Sequence, residues 1–492
     1  MKVHLPFLTT VAFILSLGVG GQAFAESYPI VDTGQNACFN NTRQIGCPDR
    51  GDDFDGQDAQ YKGPLPKYRD NGDGTVTDLV TGLMWVKARG DKTTWQDAMD
   101  GAARSRVGGY DDWRAPTIKE LYSLIDFNGW VQQKERDSVP FLDTDFFDFV
   151  FGDVSAGERI IDCQDWSSTL YVSTTMGGSR TAFGVNFADG RIKGYGVRSR
   201  GSKGAKFIRY VRGNPDYGKN AFVDNDDGTV EDRATGLTWQ KQDSAEGMNW
   251  EDALSLCENL TLAGNDEWRL PSAKELQSIV DYSRSPKTTK SPALDPIFEY
   301  SDMEGWVWTS TTHLDGPKPK NAVYVAFGRA TGYFSKPGSN DAKKLMDVHG
   351  AGAQRSDPKS GRPAEGGHGP QGDEQRVKNY VRCVAGGGVA YYEPDYKRIP
   401  QWKGGKSGGS SGSQGKDPNM GSGQQRSSKG DSQSNGQSSR RKGPPQAAFD
   451  ACDGSGNGDA CTVQTPRGQL SGMCRNTPEG IACVPAGGRP KQ

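Results

Sequence analysis

Two acidic stretches punctuated by glycine are the first residues of this sequence that could do chemistry. One reads DNGDGTVTDLVTGLMW from Asp70 to Trp85, and the other reads DNDDGTVEDRATGLTW from Asp224 to Trp239. An EF-hand calcium loop needs an oxygen ligand at its fifth position and a glutamate at its twelfth. Gly74 and Gly228 fall on the fifth position, so the ligand spacing fails in both stretches. We therefore expect the Asp-Gly pairs to form hairpin turns, with a calcium site of another kind as the alternative.

A second candidate for chemistry lies between Met346 and Gln375, in a segment rich in glycine and proline. Asp347, His349, His368 and Asp373 could gather there around a metal ion, since carboxylates and imidazoles are common metal ligands. The bland interpretation is a variable surface loop with two incidental histidines, and we favour it because ligand clusters need defined geometry.

Aromatic and basic side chains could bind a ligand rather than transform one. Most tryptophans recur in register between two halves of the chain and are expected to anchor cores. Trp130, Trp306 and Trp402 lie outside that pattern and could be exposed platforms for sugar rings. A basic cluster follows the last of them, in a segment too poor in apolar residues to fold: Lys403, Lys406, Arg440, Arg441 and Lys442. An ordinary solvated linker is the alternative interpretation of that cluster.

Several function classes are disfavoured by what the sequence lacks. It contains no serine elbow, phosphate-binding loop, zinc-protease motif or dinucleotide fingerprint. The formal net charge of -2 gives no global field that would attract nucleic acid. We therefore expect no enzyme, no cofactor and no specific nucleic-acid partner.

These side chains belong to a duplicated unit. The segment TTWQDAMDGAARSRVGGYDDWRAPTIKELYSLIDF at 93–127 aligns with MNWEDALSLCENLTLAGNDEWRLPSAKELQSIVDY at 248–282. DWSSTLY at 165–171 aligns with VWTSTTH at 307–313, and both copies close on similar strands. A repeat of this length indicates two tandem domains rather than a solenoid.

Local signals place helices and strands within each copy. Thr94 and Asn249 are expected N-caps of a first helix. Pro-Thr-x-x-Glu at 116–120 and Pro-Ser-x-x-Glu at 271–275 are expected capping boxes of a second helix. In copy two the periodicity predicts that the first helix buries Ala253, Leu256, Cys257 and Leu260. Arg114 and Arg269, beside the second cap, are expected to form structural ion pairs. Alternating apolar residues at 183–187 predict a strand that enters a hairpin.

The cysteines supply an internal check on this alignment. Copy two carries Cys257 and Cys383, where copy one has Ala102 and Tyr210. Because both thiols are present or absent together, we predict that they form a disulfide between the first helix and the last strand.

The remaining cysteines divide into two groups. Cys38 and Cys47 are expected to pair, which leaves Cys163 as an odd thiol that is either buried or available to a partner. A short C-terminal segment with too small a core to fold alone should form two disulfides among the following residues, with the connectivity open: Cys452, Cys461, Cys474 and Cys483.

The N-terminus predicts export. Lys2, an apolar run and Ala23-Phe24-Ala25 resemble a signal peptide with cleavage between Ala25 and Glu26, and no segment resembles a membrane span. The expected organisation is a signal peptide (1–25), a lead-in with a short cysteine loop (26–65), copy one (66–212), copy two (219–388), a disordered linker (389–447) and a four-cysteine module (448–486).

The repeated motifs resemble a known family. DNGDGTVTD, DWRAPT or EWRLPS, WSST or WTST, and the closing YVRCV are together similar to the DUF1566 family, also called the Lcl C-terminal domain, of bacterial exported proteins. The resemblance covers about residues 27–388. It implies an α+β fold of two tandem C-type lectin-like domains, and fold likeness by itself does not fix function.

The resemblance also implies a binding role, because the name-giving adhesin of this family attaches to sulfated glycans. We expect an exported, non-enzymatic protein of the periplasm, cell surface or extracellular space that recognises carbohydrate. A scaffold component of the cell envelope that binds protein partners is the first alternative. A metal-assisted enzyme that uses the copy-two insertion is the second.

Overall fold

The chain is mostly β. A computed structural model describes residues 27–198, 204–335, 342–369, 371–392, 451–452, 458–465, 468–477 and 480–485. Strands outnumber the four short α-helices in this part of the chain. The fold is therefore mostly β with a few helices, rather than an even mixture of helices and strands. Two compact units form, residues 1–410 and 411–492, and both copies lie in the first. The expected signal peptide, residues 393–447 of the expected linker and residues 448–450 of the expected four-cysteine module lie outside the described residues.

The lead-in and copy one contain the first ten strands. The lead-in has strands β1 (Cys38–Phe39), β2 (Gln44–Ile45) and β3 (Tyr61–Lys62), with a 3-10 turn at Asp58–Gln60. Copy one follows with β4 (Tyr68–Asp70), β5 (Thr75–Asp78), β6 (Met84–Val86), α1 (Trp95–Ala102), α2 (Ile118–Ser123), β7 (Asp165–Thr175), β8 (Ser179–Asn186), β9 (Arg191–Gly196) and β10 (Val211–Arg212). Strands β4, β5, β6 and β10 form one antiparallel sheet, so the start and end of the copy lie side by side.

Copy two repeats this order with one added hairpin. It contains β11 (Phe222–Asp224), β12 (Thr229–Asp232), β13 (Leu237–Gln240), α3 (Trp250–Glu258), α4 (Ala273–Ser278), β14 (Trp306–His313), β15 (Asn321–Ala326), β16 (Thr331–Phe334), β17 (Lys344–Asp347), β18 (Gln354–Pro358) and β19 (Val384–Gly386). Strands β11, β12, β13 and β19 again join the two ends of the copy. Strand β20 (Ala390–Tyr391) then pairs with β3.

The expected caps start all four helices. Thr94 and Asn249 accept the N-cap hydrogen bond of α1 and α3. Capping boxes at Thr117 and Ser272 start α2 and α4, because hydroxyl and glutamate satisfy backbone N–H groups reciprocally. The buried face of α3 is only partly as predicted. Leu256 is 38% exposed, and the residues that α3 buries are Trp250, Ala253, Leu254 and Cys257.

A six-stranded sheet joins the copies, in the order β14-β15-β18-β9-β8-β7. Each copy contributes three strands, and Gln354 of β18 lies opposite Ile192 of β9 at the junction. The expectation of a surface loop between Met346 and Gln375 is therefore wrong for β18. The hairpin of β16 and β17 is inserted ahead of it, so β18 takes the central position that β9 takes in copy one.

Helices α2 and α4 meet across the junction through two reciprocal lysines. The ammonium of Lys119 donates to the carbonyl of Ser278 at 2.6 Å, and that of Lys274 donates to the carbonyl of Ser123 at 2.8 Å. Burial lowers the pKa of each lysine to about 8. Because equivalent residues exchange equivalent contacts, the two copies pack with approximate twofold symmetry.

One hydrophobic core fills the space under the shared sheet. It includes Phe183 and Val185 of β8, Val323 of β15, Leu121 of α2 and Leu276 of α4, all fully buried. The alternation predicted for 183–187 is confirmed, since Phe183, Val185 and Phe187 all face this core. The copies thus share apolar burial, the main favourable contribution to folding.

The cysteines of the first unit occupy defined positions. Cys257 and Cys383 form the expected disulfide, with their Cα atoms 5.5 Å apart. In copy one the Tyr210 hydroxyl takes this place and donates to the carbonyl of Ala98 at 3.0 Å. Cys38 bonds to Cys47. Cys163 is a buried free thiol whose pKa is raised by burial to about 12, which makes it a poor nucleophile at neutral pH.

The second unit is a three-stranded antiparallel meander. It consists of β21 (Ala460–Thr465), β22 (Gly468–Thr477) and β23 (Gly480–Pro485). Disulfides connect Cys452 to Cys474 and Cys461 to Cys483. This pattern settles the connectivity that the sequence leaves open.

Candidate functional site

The acidic repeats form turns, as expected. One carboxylate oxygen of Asp73 accepts from the N–H and hydroxyl of Thr75, at 3.0 and 2.6 Å. Asp227 accepts from Thr229 at the same two distances. Gly74 then adopts a φ of +86°, a left-handed conformation that favours glycine. The aspartates therefore fix the backbone of the hairpin.

The four residues considered as metal ligands are not gathered at one point. Asp347 accepts from the Tyr171 hydroxyl at 2.7 Å, whereas Asp373 accepts from His349 at 2.8 Å and pairs with Arg355. His368 is exposed. Among the described residues, the one group of three close His, Cys, Asp or Glu ligand atoms belongs to Cys452, Cys461 and Cys483, which are in disulfides.

Electrostatics near the insertion supports a structural network. Burial raises the pKa of Asp373, but Arg355 and His349 outweigh it and hold that pKa well below its usual range. Burial also lowers the pKa of His349 to about 4, so the imidazole is neutral at pH 7. A carboxylate between a guanidinium and an imidazole holds β18 against the segment that carries Asp373.

The proposed sugar platforms fare differently. Trp306 is fully buried and stacks on Tyr324 with ring centroids 4.6 Å apart, so its assignment as an exposed platform is wrong. Trp130 is half-buried, packs against Phe39 and Leu314, and donates its indole N–H to the carbonyl of Gly316. The remaining candidates lie outside the described residues: Trp402, Lys403, Lys406, Arg440, Arg441 and Lys442.

A pair of equivalent grooves provides a better candidate site. We define each groove by three residues of an edge strand of the shared sheet, the tryptophan that begins the first helix and the arginine ahead of the second helix. The copy-one groove is lined by Trp95, Arg114, Ser168, Thr169 and Leu170. The copy-two groove is lined by the aligned residues Trp250, Arg269, Ser310, Thr311 and Thr312.

The two grooves are built by the same hydrogen bonds. Thr169 accepts from the N–H of Ile118 at 3.0 Å, and Thr311 accepts from the N–H of Ala273 at 2.9 Å. The Trp95 indole donates to the carbonyl of Ser167, as that of Trp250 does to Thr309. Both edge strands also shift register at the same place, before Leu170 and before Thr312.

The arginine of each groove forms an ion pair with a glutamate of the second helix. Arg114 donates to both carboxylate oxygens of Glu120, and Arg269 pairs with Glu275, as the sequence predicts. The Arg269 side chain is 3% exposed and the Arg114 side chain 31%. The difference in exposure arises because the lead-in covers the copy-two groove and does not cover the copy-one groove.

The lead-in fills the copy-two groove. The side-chain amide of Gln35 accepts from the N–H of Thr312 at 2.9 Å and donates to its carbonyl at 2.8 Å. It therefore imitates the peptide group of a neighbouring strand. The carboxylate of Asp58 accepts from the hydroxyls of Thr311 and Thr33. Edge strand β14 thus gains polar partners and is buried along its whole length.

One residue of copy two and a further lead-in residue complete the cover. Lys359, the residue after β18, donates to the hydroxyl of Thr312 at 2.8 Å and lies 3.9 Å from the centre of the Trp250 ring. It also contacts the carbonyl of Phe39. Tyr61 packs near Arg269 and donates to Glu258 at 2.7 Å. Burial, more than repulsion from Asp32, raises the pKa of Asp58 to about 7.

The copy-one groove is open in the described structure. Ser168, Thr169 and Leu170 are half-buried, whereas Ser310, Thr311 and Thr312 are 2% exposed or less. Trp95 is half-buried too, although Trp250 is fully buried. Farther along β7, Val172 is 39% exposed. An indole, aliphatic side chains and hydroxyls that the equivalent groove buries under polypeptide are here accessible.

The sequence predicts residues that belong to both grooves, but it does not predict the grooves themselves. The WSST and WTST motifs mark both edge strands, and the aligned arginines were expected to pair. Gln35, Asp58 and Lys359 were missed, because their partners are far away along the chain. The sequence contains one indication that the two grooves differ, because a single lead-in precedes two equivalent motifs.

Comparison with known proteins agrees with the duplication. The family model for the Lcl C-terminal domain matches residues 74–212 and 228–346, so its second match ends just before the junction strand β18. No curated protein is similar enough to count as a match. Of the described helices, none has the length and apolar character needed to cross a bilayer. With two ordered matches over more than half of its residues, the chain belongs to the Lcl C-terminal domain family.

Proposed function

We propose that this protein is a non-enzymatic binding protein whose ligand occupies the copy-one groove. One observation carries the proposal: the chain covers one of two equivalent grooves with its own lead-in, and the other groove is accessible. A half-buried indole beside aliphatic and hydroxyl groups offers apolar contact and hydrogen bonds, which are what a recognition surface needs.

A sulfated glycan is a second candidate ligand, favoured by family membership. If the ligand is a sulfated glycan, we propose that the copy-one groove or the basic linker cluster from Lys403 to Lys442 contacts the sugar. Binding through lysine and arginine would weaken steeply as salt increases, since ion pairs with a polyanion release counterions. A protein partner in the cell envelope is the candidate that the groove itself favours, because polypeptide fills its copy-two equivalent.

The C-type lectin-like architecture is part of this proposal. It is supported by the pairing of first and last strands within each copy and by two short helices early in each copy. The helix-to-strand disulfide between Cys257 and Cys383 also supports it. An experimental structure in which the four-stranded sheets had a different strand order would contradict this assignment.

Export to the periplasm, cell surface or surroundings is proposed as well. Four disulfides suit an oxidising compartment. Amino-terminal sequencing of protein recovered from cell fractions is expected to start at Glu26. A start at Met1 in a cytosolic fraction would contradict export.

The binding role is tested by blocking the groove. Full-length protein and a Leu170→Arg variant are applied to a glycan array, at low and high salt, and to a random peptide library displayed on phage. We expect the wild type to bind ligands on at least one of the two and the variant to lose them. Thr144→Val, at an exposed position outside the groove, is the control. Binding that survives Leu170→Arg, or no binding by the wild type, would overturn the proposal.

A further inference from the structure

The way the lead-in occupies copy two shows what the open groove can accept. Gln35 bonds to both peptide groups of Thr312, so the N–H and C=O of Thr312 point outward from the sheet edge. Thr312 lies opposite Ala322 in β15, directly after a register shift. In copy two a side-chain amide forms these two hydrogen bonds, and a peptide group of an extended segment has the donor and acceptor to form the same two.

Leu170 offers the same pair of peptide groups in copy one. It lies opposite Ala182 in β8, directly after the equivalent register shift, and a second shift that copy two lacks follows it. Because backbone direction alternates along a strand, an equivalent position in an equivalent register points its N–H and C=O to the same side. Leu170 therefore presents a donor and an acceptor outward at an edge strand, where another strand can add.

Thr169 adds a donor with a defined preference. Its oxygen accepts from the N–H of Ile118, which leaves the hydroxyl proton to point away from the helix. The equivalent proton of Thr311 goes to the carboxylate of Asp58. Within the described ranges, no side chain accepts from the Thr169 hydroxyl. A carboxylate is the acceptor that the internal example places there, and charged acceptors form the stronger hydrogen bonds.

Two substitutions between the copies change the rest of the surface. Leu170 stands in copy one where copy two has Thr312, and Val197 stands where copy two has Lys359. The second equivalence follows from the strand pairing. Val197 comes directly after the β9 residue that lies opposite Thr181, and Lys359 comes directly after the β18 residue that lies opposite Asn321. The polar pair of copy two is thus an apolar pair in copy one. Leu170 and Val197 pack with Trp95 around a small cluster and are all half-buried. A ligand segment must therefore supply an apolar side chain at this point.

We propose that the copy-one groove binds an extended peptide segment of another protein, which pairs with the backbone of Leu170, places an aspartate or glutamate on the Thr169 hydroxyl and packs an apolar side chain on Trp95, Leu170 and Val197. This inference rests on the binding function proposed above and names the ligand class. The chemistry of the occupant comes from the lead-in on copy two, with its polar contact to Lys359 replaced by an apolar one.

The test starts from a phage-displayed library of random peptides selected on the full-length protein. Recovered peptides are synthesised, and their Kd is measured by fluorescence polarisation. We expect an acidic residue next to an apolar one in the recovered sequences. Changing that acidic residue to its amide should weaken binding several-fold, since the amide oxygen still accepts from the hydroxyl but without the strength of a charged acceptor.

Protein variants locate the contact. Thr169→Val is expected to weaken binding about ten-fold and to abolish the effect of the amide change in the peptide, because both changes act on the same hydrogen bond. Thr169→Ser keeps the donor and should bind like the wild type. Leu170→Thr with Val197→Lys installs the copy-two residues, is compatible with this edge strand, and should also weaken binding. Thr144→Val should change nothing, and thermal unfolding confirms that each variant is folded.

The outcomes separate this inference from the binding function. Glycan binding at the groove without peptide binding would overturn the peptide ligand and leave the binding function standing. Peptides without an acidic requirement, or insensitive to Thr169→Val in a folded protein, would overturn the peptide mode proposed here. Self-association that Leu170→Thr with Val197→Lys abolishes would replace the partner with a second copy of this chain. No ligand of either class would overturn both proposals.

Discussion

Arg114 and Arg269 form the same ion pair in different surroundings, which makes them a matched pair for experiment. Arg269→Ala leaves Glu275 buried beneath the lead-in without its counter-charge, and such a loss costs about 3–5 kcal/mol. Glu120 is itself buried, but the Arg114 side chain is 31% exposed, so its removal in Arg114→Ala opens a path for water to Glu120, and we expect a smaller loss of about 1–3 kcal/mol. Urea unfolding measures both free energies. Equal losses would show that the copy-one groove is covered.

Asp58 should make the stability of the protein depend on pH. Burial raises its folded-state pKa from 3.8 to about 7. Between these values the folded state holds a proton that the unfolded state releases, so raising the pH favours unfolding. The difference is worth at most about 4 kcal/mol.

The expected result for Asp58 is a difference between two pH profiles of the unfolding free energy. Wild-type stability should fall from about pH 4 to about pH 7 relative to Asp58→Asn, whose neutral amide does not titrate there. Urea unfolding at intervals across this range gives both profiles. Parallel profiles would mean that Asp58 is ionised in the folded protein.

Residues with local partners could be predicted from the sequence, and residues with distant partners could not. The caps at Thr94 and Thr117 and the pair of Arg114 with Glu120 involve neighbours within one helical turn or two, so spacing reveals them. Gln35 bonds to Thr312 and Asp58 to Thr311, contacts that exist only after the chain has folded. Trp306 was misassigned for the same reason, since Tyr324 and the core cover it.

At the scale of elements, the two copies fasten the first helix to the last strand by different means. The Cys257–Cys383 disulfide closes a separation of 126 residues. Its replacement by two alanines should cost about 2–4 kcal/mol, largely by freeing the unfolded chain. Tyr210→Phe removes the hydrogen bond to Ala98 in copy one and should cost about 1 kcal/mol. Unfolding by urea under non-reducing conditions compares the two, and a larger loss for Tyr210→Phe would contradict this ranking.

Strand β18 shows the limit of pattern reasoning for elements. Its sequence, Gln354-Arg-Ser-Asp-Pro, has no apolar alternation, and the segment ahead of it is rich in glycine and alanine. It is nevertheless central because neighbours satisfy its polar side chains: Asp357 accepts from Asn379, and Arg355 pairs with Asp373. A strand held by polar side chains lacks the periodic signal on which prediction depends.

At the scale of the whole first unit, the copies should unfold together. They share one sheet and one core, and the reciprocal lysines Lys119 and Lys274 join their helices. We expect a single urea transition for this unit. Arg269→Ala in copy two should therefore also speed hydrogen exchange in β8 of copy one, measured by mass spectrometry. Unchanged exchange in β8 would show that the copies are energetically independent.

The reciprocal lysines have a consequence for stoichiometry. Two identical separate chains could associate through the same contacts, and such a homodimer would contain two lead-ins, one for each groove. A single polypeptide that contains both copies retains both grooves. The connection between the copies at 213–221 is too short to serve as a second lead-in. In the tandem arrangement the single lead-in covers one of the two equivalent grooves, so the proposed ligand would bind the first unit at one groove per chain.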